Sequence, residues 1–582
     1  MGKVNDYIKK LLNFVKGDEE NTKYEKPWHK YYEGQPIHIN YYNGSIYDKL
    51  YETACEYSNL TAYEYFGVEA TFPEFIRKID KIANALTQFK IVENECVTVC
   101  LPNTPESFAL IYAINKIGAI ANVVHPLSAK SEIERALKEG NSSIIFYSDV
   151  SSKNVNEIKV KNKILVPTSY SFPKTLKFLY GLKNKESLKV VNGAMSFEQF
   201  MQYTLEEDIY VKRFGKDPAA IIYSGGTTGK PKGIIISNQN FNAMAQQTPI
   251  LCQEIKPGRS ILSCLPIFHV FGLAVCCHTA LVSGLKCIIV PRINTKKLNK
   301  ELKKYSPNIM PAVPSMLRVC LKDKDPGYNA FKDIKIFVVG GDYLPPDLKR
   351  DFEKFARDHG SNGVIKVGYG LSESTGFCAS TAPVPEDEVL PGTLGVPNPD
   401  MDVRVFEPNT DIEKALGDIG EICVNGPTVM MGYINEDEET KKTLVIHNDG
   451  KIWLHTGDLG YVDESGRIFF SSRLKRMIIS NGYNIYPIEL ENIISKHKAV
   501  ASVTVVGIPH KTKGQTPKAV IVLKDGFENN LDLRADIRQY CKDNMALYAV
   551  PTEFEYRDSM PITAIGKVSY RDLEKKSDKK ED

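Results

Sequence analysis

The sequence lacks the features that mark membrane-spanning, secreted and zinc-binding proteins. No stretch approaches roughly eighteen uncharged apolar residues, so we expect no transmembrane helix. The N-terminus has no apolar core followed by a small-residue cleavage site, so we expect no secretory signal. The twelve cysteines are scattered without a CxxC pair, and neither a zinc site nor a redox dithiol is indicated.

The chain also carries little net charge. Lysine and arginine number 74 against 71 aspartate and glutamate residues, which gives a formal net charge of +3. This balance provides no strong field that would gather nucleic acid, so nucleic acid is not an expected partner. Scattered cysteines are typical of small buried residues in a reducing compartment, and we therefore expect a cytoplasmic protein.

What the sequence does contain is an α/β pattern long enough for more than one core. A chain of 582 residues exceeds what one hydrophobic core usually supports, so we expect at least two domains. Short apolar runs alternate with amphipathic stretches, which favours a layered α/β body. The predicted strands include residues 95–100, 219–223, 286–290, 334–339 and 364–367, with predicted helices at 73–89 and 346–359.

The pattern changes twice towards the C-terminus. Residues 393–472 read as short strands broken by Gly, Pro and Asp turns, which predicts a small β-rich subdomain. After Arg473 the sequence predicts helices at 488–497 and 531–545 and strands at 501–507 and 517–523. We therefore predict a large N-terminal domain over residues 1–472 and a small α+β C-terminal domain over residues 473–582.

Near the N-terminus, residues 3–16 form a basic amphipathic pattern. Val4, Ile8, Leu11 and Val15 fall on one helical face, with lysines elsewhere. Such a helix could rest on an anionic membrane surface, which would make the protein peripheral at the membrane. A helix docked on its own domain gives the same pattern, and that alternative is favoured.

Residues 223–233, YSGGTTGKPKG, lie between two apolar runs that read as strands. The glycines allow backbone N–H groups to converge on a polyanion, while the hydroxyls of Ser224, Thr227 and Thr228 and the charge of Lys232 add further ligands for phosphate. The segment is not a nucleotide-binding P-loop, because Pro231 follows Lys230 and a strand-like GIIIS comes next. The alternative is a flexible hairpin tip with solvated lysines.

Four further motifs follow in order: GYGLSES (368–374), WLHTGDLG (453–460), RLKRMIISNGYNIYPIELE (473–491) and PITAIGK (561–567). Together with the glycine-rich loop, they resemble the adenylate-forming superfamily, in particular its medium- and long-chain fatty acyl-CoA synthetases. The resemblance covers nearly the whole chain beyond about residue 45. It implies two α/β subdomains and the β-rich subdomain in the large domain, followed by a mobile C-terminal domain.

The resemblance also implies a reaction. A carboxylic acid and ATP, with Mg²⁺, give an acyl-adenylate and pyrophosphate, and coenzyme A then takes the acyl group as AMP leaves. It assigns the ATP and AMP contacts to Ser224, Gly225, Gly226, Thr227, Thr228, Gly229, Lys232, Gly341, Asp342, Tyr369, Gly370, Ser372, Asp458 and Arg473.

Several of these residue types suit the chemistry on their own terms. Tyr369 follows a predicted strand and offers a flat face to a purine, and Glu373 offers a hard oxygen ligand for Mg²⁺. The alternative is a core tyrosine with Ser372 capping a helix. Asp458 has the short carboxylate that could accept two ribose hydroxyls, although an ordinary turn aspartate is its alternative. Arg473 is a second nucleotide contact or a surface arginine.

The C-terminal motifs carry the roles that depend on domain motion. The resemblance makes Lys475 the hinge, and it places Gly482 and Tyr483 on the loop that enters the site for the thioester step. Lys567 is the predicted catalytic lysine, because one flexible cation could contact the acyl carboxylate and the α-phosphate together. A lysine near a C-terminus is otherwise a solvated charge.

The acyl substrate is defined less closely. Acetate-specific relatives plug the pocket with a tryptophan, whereas this chain has only Trp28 and Trp453, neither at such a site. Residues 264–273, 312–319 and 338–346 resemble pocket-lining segments of fatty acyl enzymes, and His269 resembles the gate between acyl tunnel and nucleotide. A hydrogen-bonded core histidine is its alternative. Chain length is not readable, because apolar pockets discriminate poorly between methylenes.

Two other functions stay open at this point. The chain could load a carrier protein's phosphopantetheine instead of coenzyme A, although it contains no carrier motif of the LGGxS kind. It could also be a binding protein that kept the fold and lost catalysis. The joint presence of Glu373, Asp458, Arg473 and Lys567 disfavours this last alternative.

Overall fold

The computed structural model describes residues 26–32, 34–191, 193–203, 209–224, 231–293, 298–323, 326–327, 329–480, 483–510, 512–561 and 568–574. These residues form two sheets in a large domain and a third sheet in a small C-terminal domain. No described helix is both long enough and apolar enough to cross a bilayer. The amphipathic segment 3–16 lies outside the described residues.

The first sheet of the large domain has eight described strands. They are β3 (Cys96–Cys100), β4 (Ile120–Val123), β5 (Ile144–Tyr147), β6 (Asn162–Leu165), β7 (Ala194–Ser196), β8 (Pro218–Tyr223), β9 (Gly233–Ser237) and β19 (Gly432–Tyr433). Their order across the sheet is β19-β9-β8-β4-β3-β5-β6-β7. The central strands pair in parallel, and β3 to β5 are buried along their length. Their continuous apolar runs are what a parallel sheet covered on both faces requires.

The second sheet runs from the body of the domain into the β-rich region. Its body strands are β1 (Thr61–Tyr65), β2 (Val68–Thr71), β10 (Ser260–Ser263), β11 (Lys286–Ile289), β12 (Ile309–Ala312), β13 (Ile336–Gly340), β14 (Val364–Tyr369) and β15 (Ala379–Ser380). Its β-rich strands are β16 (Thr393–Pro397), β17 (Asp402–Phe406), β18 (Gly420–Asn425), β20 (Leu444–Ile446), β21 (Ile452–Val462) and β22 (Ile468–Arg473). Pairing is parallel from β10 to β14 and antiparallel from β15 onwards.

Helices cover these sheets. In the large domain they are α1 (Ile46–Glu56), α2 (Phe72–Gln88), α3 (Pro105–Lys116), α4 (Lys130–Glu139), α5 (Ser152–Val155), α6 (Lys174–Lys183), α7 (Phe197–Phe200), α8 (Asn238–Leu251), α9 (Ala280–Val282), α10 (Leu298–Tyr305), α11 (Pro314–Lys322), α12 (Pro346–Asp358) and α13 (Asp437–Thr443). A π-helix spans Phe271–Thr279, and 3₁₀ turns span Pro27–Tyr32, Met201–Tyr203, Ser372–Ser374, Glu386–Glu388 and Leu474–Arg476.

Local sequence explains why these helices begin where they do. At α2 the Thr71 side chain accepts a hydrogen bond from the Glu74 backbone N–H, and the Glu74 carboxylate accepts one from the Thr71 N–H. This reciprocal cap satisfies N–H groups that the first turn leaves without helical partners. The helix then buries Phe75, Ile79 and Ile82 at helical spacing against the core.

The C-terminal domain is a separate α+β unit with its own apolar core. Its strands are β23 (Ile478–Ser480), β24 (Tyr483–Ile485), β25 (Val500–His510), β26 (Gly514–Leu523) and β27 (Glu553–Tyr556), and its helices are α14 (Pro487–Ile494), α15 (Leu531–Asn544) and α16 (Tyr570–Glu574). Buried Ile494, Val505, Ile521 and Ile537 belong to one cluster between helices and sheet. The expected large α/β domain and small α+β domain are therefore both present.

Candidate active site

The glycine-rich loop connects β8 and β9, which pair antiparallel with Tyr223 opposite Gly233. The Ser224 N–H donates to the Lys232 carbonyl at 3.0 Å, and the Lys232 N–H donates to Ser224 Oγ at 3.2 Å. The prediction that this loop joins two strands is confirmed. Residues 225–230, which include the candidates Gly225, Gly226, Thr227, Thr228 and Gly229, lie outside the described residues.

Lys232 points towards α13. Its ammonium group lies 2.6 Å from Glu439 Oε2 and 4.9 Å from the centre of the Tyr433 ring. Hydrogen bonds from Lys232 and Lys442 lower the pKa of Glu439 to about 2, so this carboxylate stays ionised. An acidic partner therefore orients the ammonium group of Lys232.

Tyr433 contacts both Lys232 and Glu373. The Tyr433 hydroxyl donates to Glu373 Oε1 at 2.9 Å, and the Met430 N–H donates to the Glu373 carbonyl at 2.8 Å. Burial, together with the Glu373 charge, raises the pKa of Tyr433, which keeps the phenol protonated as a donor. Tyr433 thus joins the glycine-rich loop to the 368–374 motif, a role that sequence reasoning missed.

Tyr369, Asp458 and Arg473, here called the Asp458 cluster, come from three motifs and meet at one carboxylate. The Tyr369 hydroxyl donates to Asp458 Oδ2 at 2.8 Å, and Arg473 Nε lies 2.7 Å from Asp458 Oδ1. The Asp458 side chain is 2% exposed, whereas that of Arg473 is 47% exposed. The Asp458 charge raises the pKa of Arg473, and burial raises that of Tyr369, so both groups remain donors.

Strand geometry explains this convergence. Asp458 on β21 is the direct cross-strand partner of Arg473 on β22, so their side chains share one face. Asp458 is therefore a strand residue and not the turn aspartate considered from the sequence. The preceding Gly457 has φ of +68°, which bends β21 at the motif.

Glu421 supports the bend from β18. Its Oε1 accepts the Gly457 N–H at 2.9 Å, and its Oε2 lies 2.9 Å from His455 Nδ1. Burial alone would raise the pKa of Glu421, but hydrogen bonds from His455, Gly457 and Asn409 hold it below its ordinary value. Glu421 is a second residue that sequence reasoning missed, and it acts on the site through the backbone of the Asp458 strand.

Glu421, Cys423 and His455 also place ligand-type atoms within 4.8 Å of one another. Cys423 and His455 are cross-strand partners, so the sheet register itself brings them together. Burial beside Glu421 raises the pKa of Cys423 well above its ordinary value, which opposes the thiolate a metal would need. The N–H donors that occupy Glu421 tie this cluster to the backbone of β21, so it supports the strand that carries Asp458.

The remaining nucleotide candidates line the ends of β13 and β14. Gly341, with φ of +84°, follows β13, and Asp342 Oδ1 accepts the Tyr343 N–H at 2.9 Å. A Cβ on Gly370 would lie 2.0 Å from the Gly376 carbonyl oxygen, so close backbone packing requires this glycine. Ser372 opens a single 3₁₀ turn whose cap position is Leu371, so Ser372 does not cap a helix.

His269 stands just before the π-helix Phe271–Thr279 and is partly buried. Its Nδ1 accepts the Phe271 N–H at 3.3 Å. The neighbouring Phe268 ring packs against His125, with ring centroids 4.0 Å apart and the planes tilted by 36°. A π-helix is rare and often marks a functional segment, so the gate role proposed for His269 and the structural alternative both remain compatible with its position.

The proposed hinge lies between two anchored arginines. Arg473 is tied to Asp458 in the large domain, whereas Arg476 packs 3.4 Å from the Tyr570 ring centre and lies 3.5 Å from Glu491 in the C-terminal domain. Leu474 and Lys475 connect them, and Lys475 is exposed. This geometry leaves a two-residue connection between the anchors.

The other C-terminal candidates are not described. Gly482 and Lys567 lie outside the described residues. The backbone of Tyr483 begins β24, paired with Ser480 of β23, but its side chain lies outside them.

Comparison with known families places this site in context. The sequence profile of the AMP-binding enzyme family matches residues 50–434, and that of the AMP-binding enzyme C-terminal domain matches residues 489–567.

Among curated proteins, a long-chain-fatty-acid–CoA ligase of Bacillus subtilis (strain 168) is 30% identical, covering 94% of this chain and 98% of that protein. The peroxisomal OPC-8:0-CoA ligase 1 of Arabidopsis thaliana is 28% identical, covering 87% of this chain and 88% of that protein. Among solved structures, ATP-bound MatB from Rhodopseudomonas palustris has a TM-score of 0.78 at 22% identity, covering 92% of this chain and 98% of that one. The structural likeness shows a shared fold.

Proposed function

The chain belongs to the AMP-binding enzyme family, and from this premise we propose that it activates a fatty acid with ATP and transfers the acyl group to coenzyme A. In the first step a carboxylate oxygen attacks the α-phosphorus of ATP and pyrophosphate leaves. In the second step the thiol sulfur of coenzyme A attacks the acyl carbonyl carbon, and AMP leaves with the electron pair of the broken bond.

The observation that carries the proposal is the convergence of three motifs on Asp458. Its buried carboxylate, oriented by Tyr369 and Arg473, has the acceptor character that two ribose hydroxyls need. Tyr369 also lies at the carboxyl end of a parallel strand, where α/β sheets bind ligands.

The phosphate side of the site is assigned by charge. Lys232 contacts the ATP phosphates together with the hairpin loop that begins at Ser224. Glu373 would hold Mg²⁺, because carboxylate oxygens are the ligands this ion prefers, and the ion would offset the negative charge of the phosphates. Glu439 is already paired with Lys232, so it competes with phosphate for that cation. Gly341, Asp342, Gly370 and Ser372 border the nucleotide at the ends of β13 and β14.

The acid is proposed from the relatives and from the absence of a tryptophan plug. Long-chain fatty acid–CoA ligases align over almost the whole chain, and both tryptophans are buried elsewhere, Trp453 on β21 and Trp28 near the N-terminus. His269 gates the acyl tunnel in this proposal. Coenzyme A is the acceptor, approached through the loop at Gly482 and Tyr483.

Two domain positions account for the two steps. In the first, Lys567 contacts the acyl carboxylate and α-phosphate, and in the second, rotation at Lys475 removes Lys567 and brings in Gly482. The anchored arginines on either side of Lys475 support this hinge. The domain boundary after residue 472 is part of the same proposal.

The enzyme is proposed to work in the cytoplasm. All twelve cysteines are free, and ten of them are buried, as expected where thiols stay reduced. A membrane contact through residues 3–16 remains a prediction, because that segment is not described.

The test is pyrophosphate release and thioester formation across a panel from acetate to palmitate, with coenzyme A and a phosphopantetheine carrier protein compared as acceptors. We expect the highest kcat/KM with acids of about eight carbons or more, and with coenzyme A as the acceptor. A preference for acetate would refute the assigned fatty acid pocket. A preference for the carrier protein would show that the acceptor is not coenzyme A. If no acid gave pyrophosphate, the chain would be a binding protein without catalytic activity. Lys232→Ala serves as the matched variant and should raise KM for ATP.

A further inference from the structure

Helix α6 presents its largest apolar side chains to solvent. Phe178, Leu179 and Leu182 are 67%, 56% and 64% exposed, and none of the ten residues of the helix is buried. Single exposed apolar residues are ordinary on protein surfaces. Three large ones together on one short helix form a patch that calls for a partner.

Helical geometry arranges the patch as a stripe with charged edges. At about 100° per residue, Phe178, Leu182 and Leu179 fall within one sector about 100° wide. Lys174 and Lys183 fall on either side of that sector, and both are exposed. The centre of the stripe is therefore mainly apolar, with Thr175 as the one polar side chain of the helix in that sector, and both edges are cationic.

The opposite face of the helix fixes this orientation. The Tyr180 hydroxyl donates to Asp149 Oδ2 at 2.6 Å, and the Lys177 ammonium donates to the Tyr170 carbonyl at 3.1 Å. The Tyr180 ring also meets Phe172 edge to face, with centroids 5.5 Å apart. An ordinary surface helix turns its apolar face inward. Helix α6 instead docks through Tyr180 and Lys177 and holds Phe178, Leu179 and Leu182 outward.

The helix and the residues that follow it carry charge of mainly one sign. Residues 174–189 contain five lysines and a single acidic residue, Glu186. Two copies of this stripe facing each other would bring lysine edges together, which like-charge repulsion opposes. Anionic lipid headgroups satisfy both edges while the acyl boundary accepts the apolar centre.

We propose that α6 is an interfacial helix that binds the surface of an anionic lipid bilayer. Phe178, Leu179 and Leu182 enter the boundary between headgroups and acyl chains, and Lys174 and Lys183 extend to the phosphates. Helix α6 is separate in sequence from the nucleotide-site motifs and from residues 3–16, and the proposal does not depend on which acid the enzyme uses.

The test is sedimentation of the full-length protein with vesicles of phosphatidylcholine containing about 30% phosphatidylglycerol. We expect Phe178→Ser/Leu179→Ser/Leu182→Ser to lower the vesicle partition coefficient about tenfold or more. The matched control is Leu531→Ser/Leu547→Ser, which changes residues 81% and 80% exposed in the C-terminal domain and should leave partitioning unchanged. Lys174→Gln/Lys183→Gln should reduce binding several-fold, and only to the anionic vesicles.

A single variant supplies an independent reading. Both native tryptophans are buried, so Phe178→Trp adds an exposed indole whose emission should shift to the blue with vesicles. The proposal would be overturned if the wild-type protein did not bind anionic vesicles, or if the triple variant bound them as tightly as wild type. Loss of all binding in Leu11→Ser/Leu12→Ser alone, or a dimer in solution that the triple variant converts to monomer without affecting vesicles, would also overturn it.

Discussion

The contacts of Asp458 in the large domain are short and end on a buried carboxylate, whereas the contact of Tyr343 with Asn492 across the domain junction is longer and only partly buried. Asp458 takes a hydrogen bond of 2.8 Å and an ion pair of 2.7 Å, with its own side chain almost wholly buried. At the junction, the Tyr343 hydroxyl lies 3.3 Å from the Asn492 amide nitrogen. The first arrangement fixes a geometry, and the second permits it to change.

This difference matches the demands of the two proposed steps. A ribose contact must be in place before the nucleotide arrives, because preorganised acceptors need no rearrangement at the moment of reaction. A domain that serves two steps must exchange its contacts at small cost, and partly exposed polar contacts contribute little net free energy. The short connection from Arg473 to Arg476 therefore joins a domain with fixed contacts to a domain whose contact across the junction can exchange.

The largest expected effect separates the two steps at Lys567. Lys567→Ala should slow adenylation by about a hundredfold to a thousandfold, since one charged transition-state contact is commonly worth about 3 to 4 kcal/mol. Pyrophosphate release measures this step. Thioester formation from synthetic acyl-adenylate and coenzyme A should continue near the wild-type rate, because the rotated domain then holds Lys567 away. Equal loss of both steps would contradict the two-position mechanism.

The Asp458 cluster is expected to show the next largest effect. Asp458→Asn keeps the shape but removes the charge facing Arg473, so KM for ATP should rise about tenfold or more, as loss of a charge-assisted hydrogen bond costs about 1.5 to 3 kcal/mol. Thermal unfolding should change little, because Arg473 is half exposed and can be solvated. A large fall in Tm with an unchanged KM would make the cluster structural. The matched control is Asp458→Glu, which keeps the negative charge but lengthens the side chain.

Sequence reasoning located the elements more readily than the contacts between them. The strands that end at Gly340 and Tyr369 follow from short, mainly apolar runs, and the hairpin at Ser224 to Lys232 follows from Pro231 and the strand-like residues after it. Apolar periodicity acts over a few residues, so these features are local.

Tyr433 and Glu421 were not identified in the sequence analysis, because their partners are distant in sequence. Tyr433 reaches Glu373 only through the pairing of β19 with β9, which joins segments about two hundred residues apart. Glu421 reaches Gly457 through the register of β18 against β21. No local pattern encodes such pairings. The π-helix at residues 271–279 was also not predictable, because its apolar composition is the same as that of a buried α-helix.

A variant at Lys475 tests whether the second step requires the domains to exchange their contacts. Lys475→Pro fixes φ at about −65° within the two-residue connection, so it should spare adenylation and slow thioester formation about tenfold. The matched control, Lys475→Ala, removes the charge but leaves the backbone free and should affect both steps little. Loss of adenylation in the proline variant would place the hinge elsewhere.

The smallest effect is expected at the junction itself. Tyr343→Phe removes the hydroxyl near Asn492 but keeps the ring beside Phe470, 6.4 Å between centroids. A hydrogen bond between uncharged groups contributes about 0.5 to 1.5 kcal/mol, so the balance between domain positions should shift no more than about tenfold. Single-turnover rates for each step would report the shift as opposite changes in the two rates. Asn492→Ala should give the same pattern, and the double variant should add little, because both substitutions remove one contact. If both single variants instead lowered both rates together, the junction would be part of a fixed interface and not of the exchangeable one.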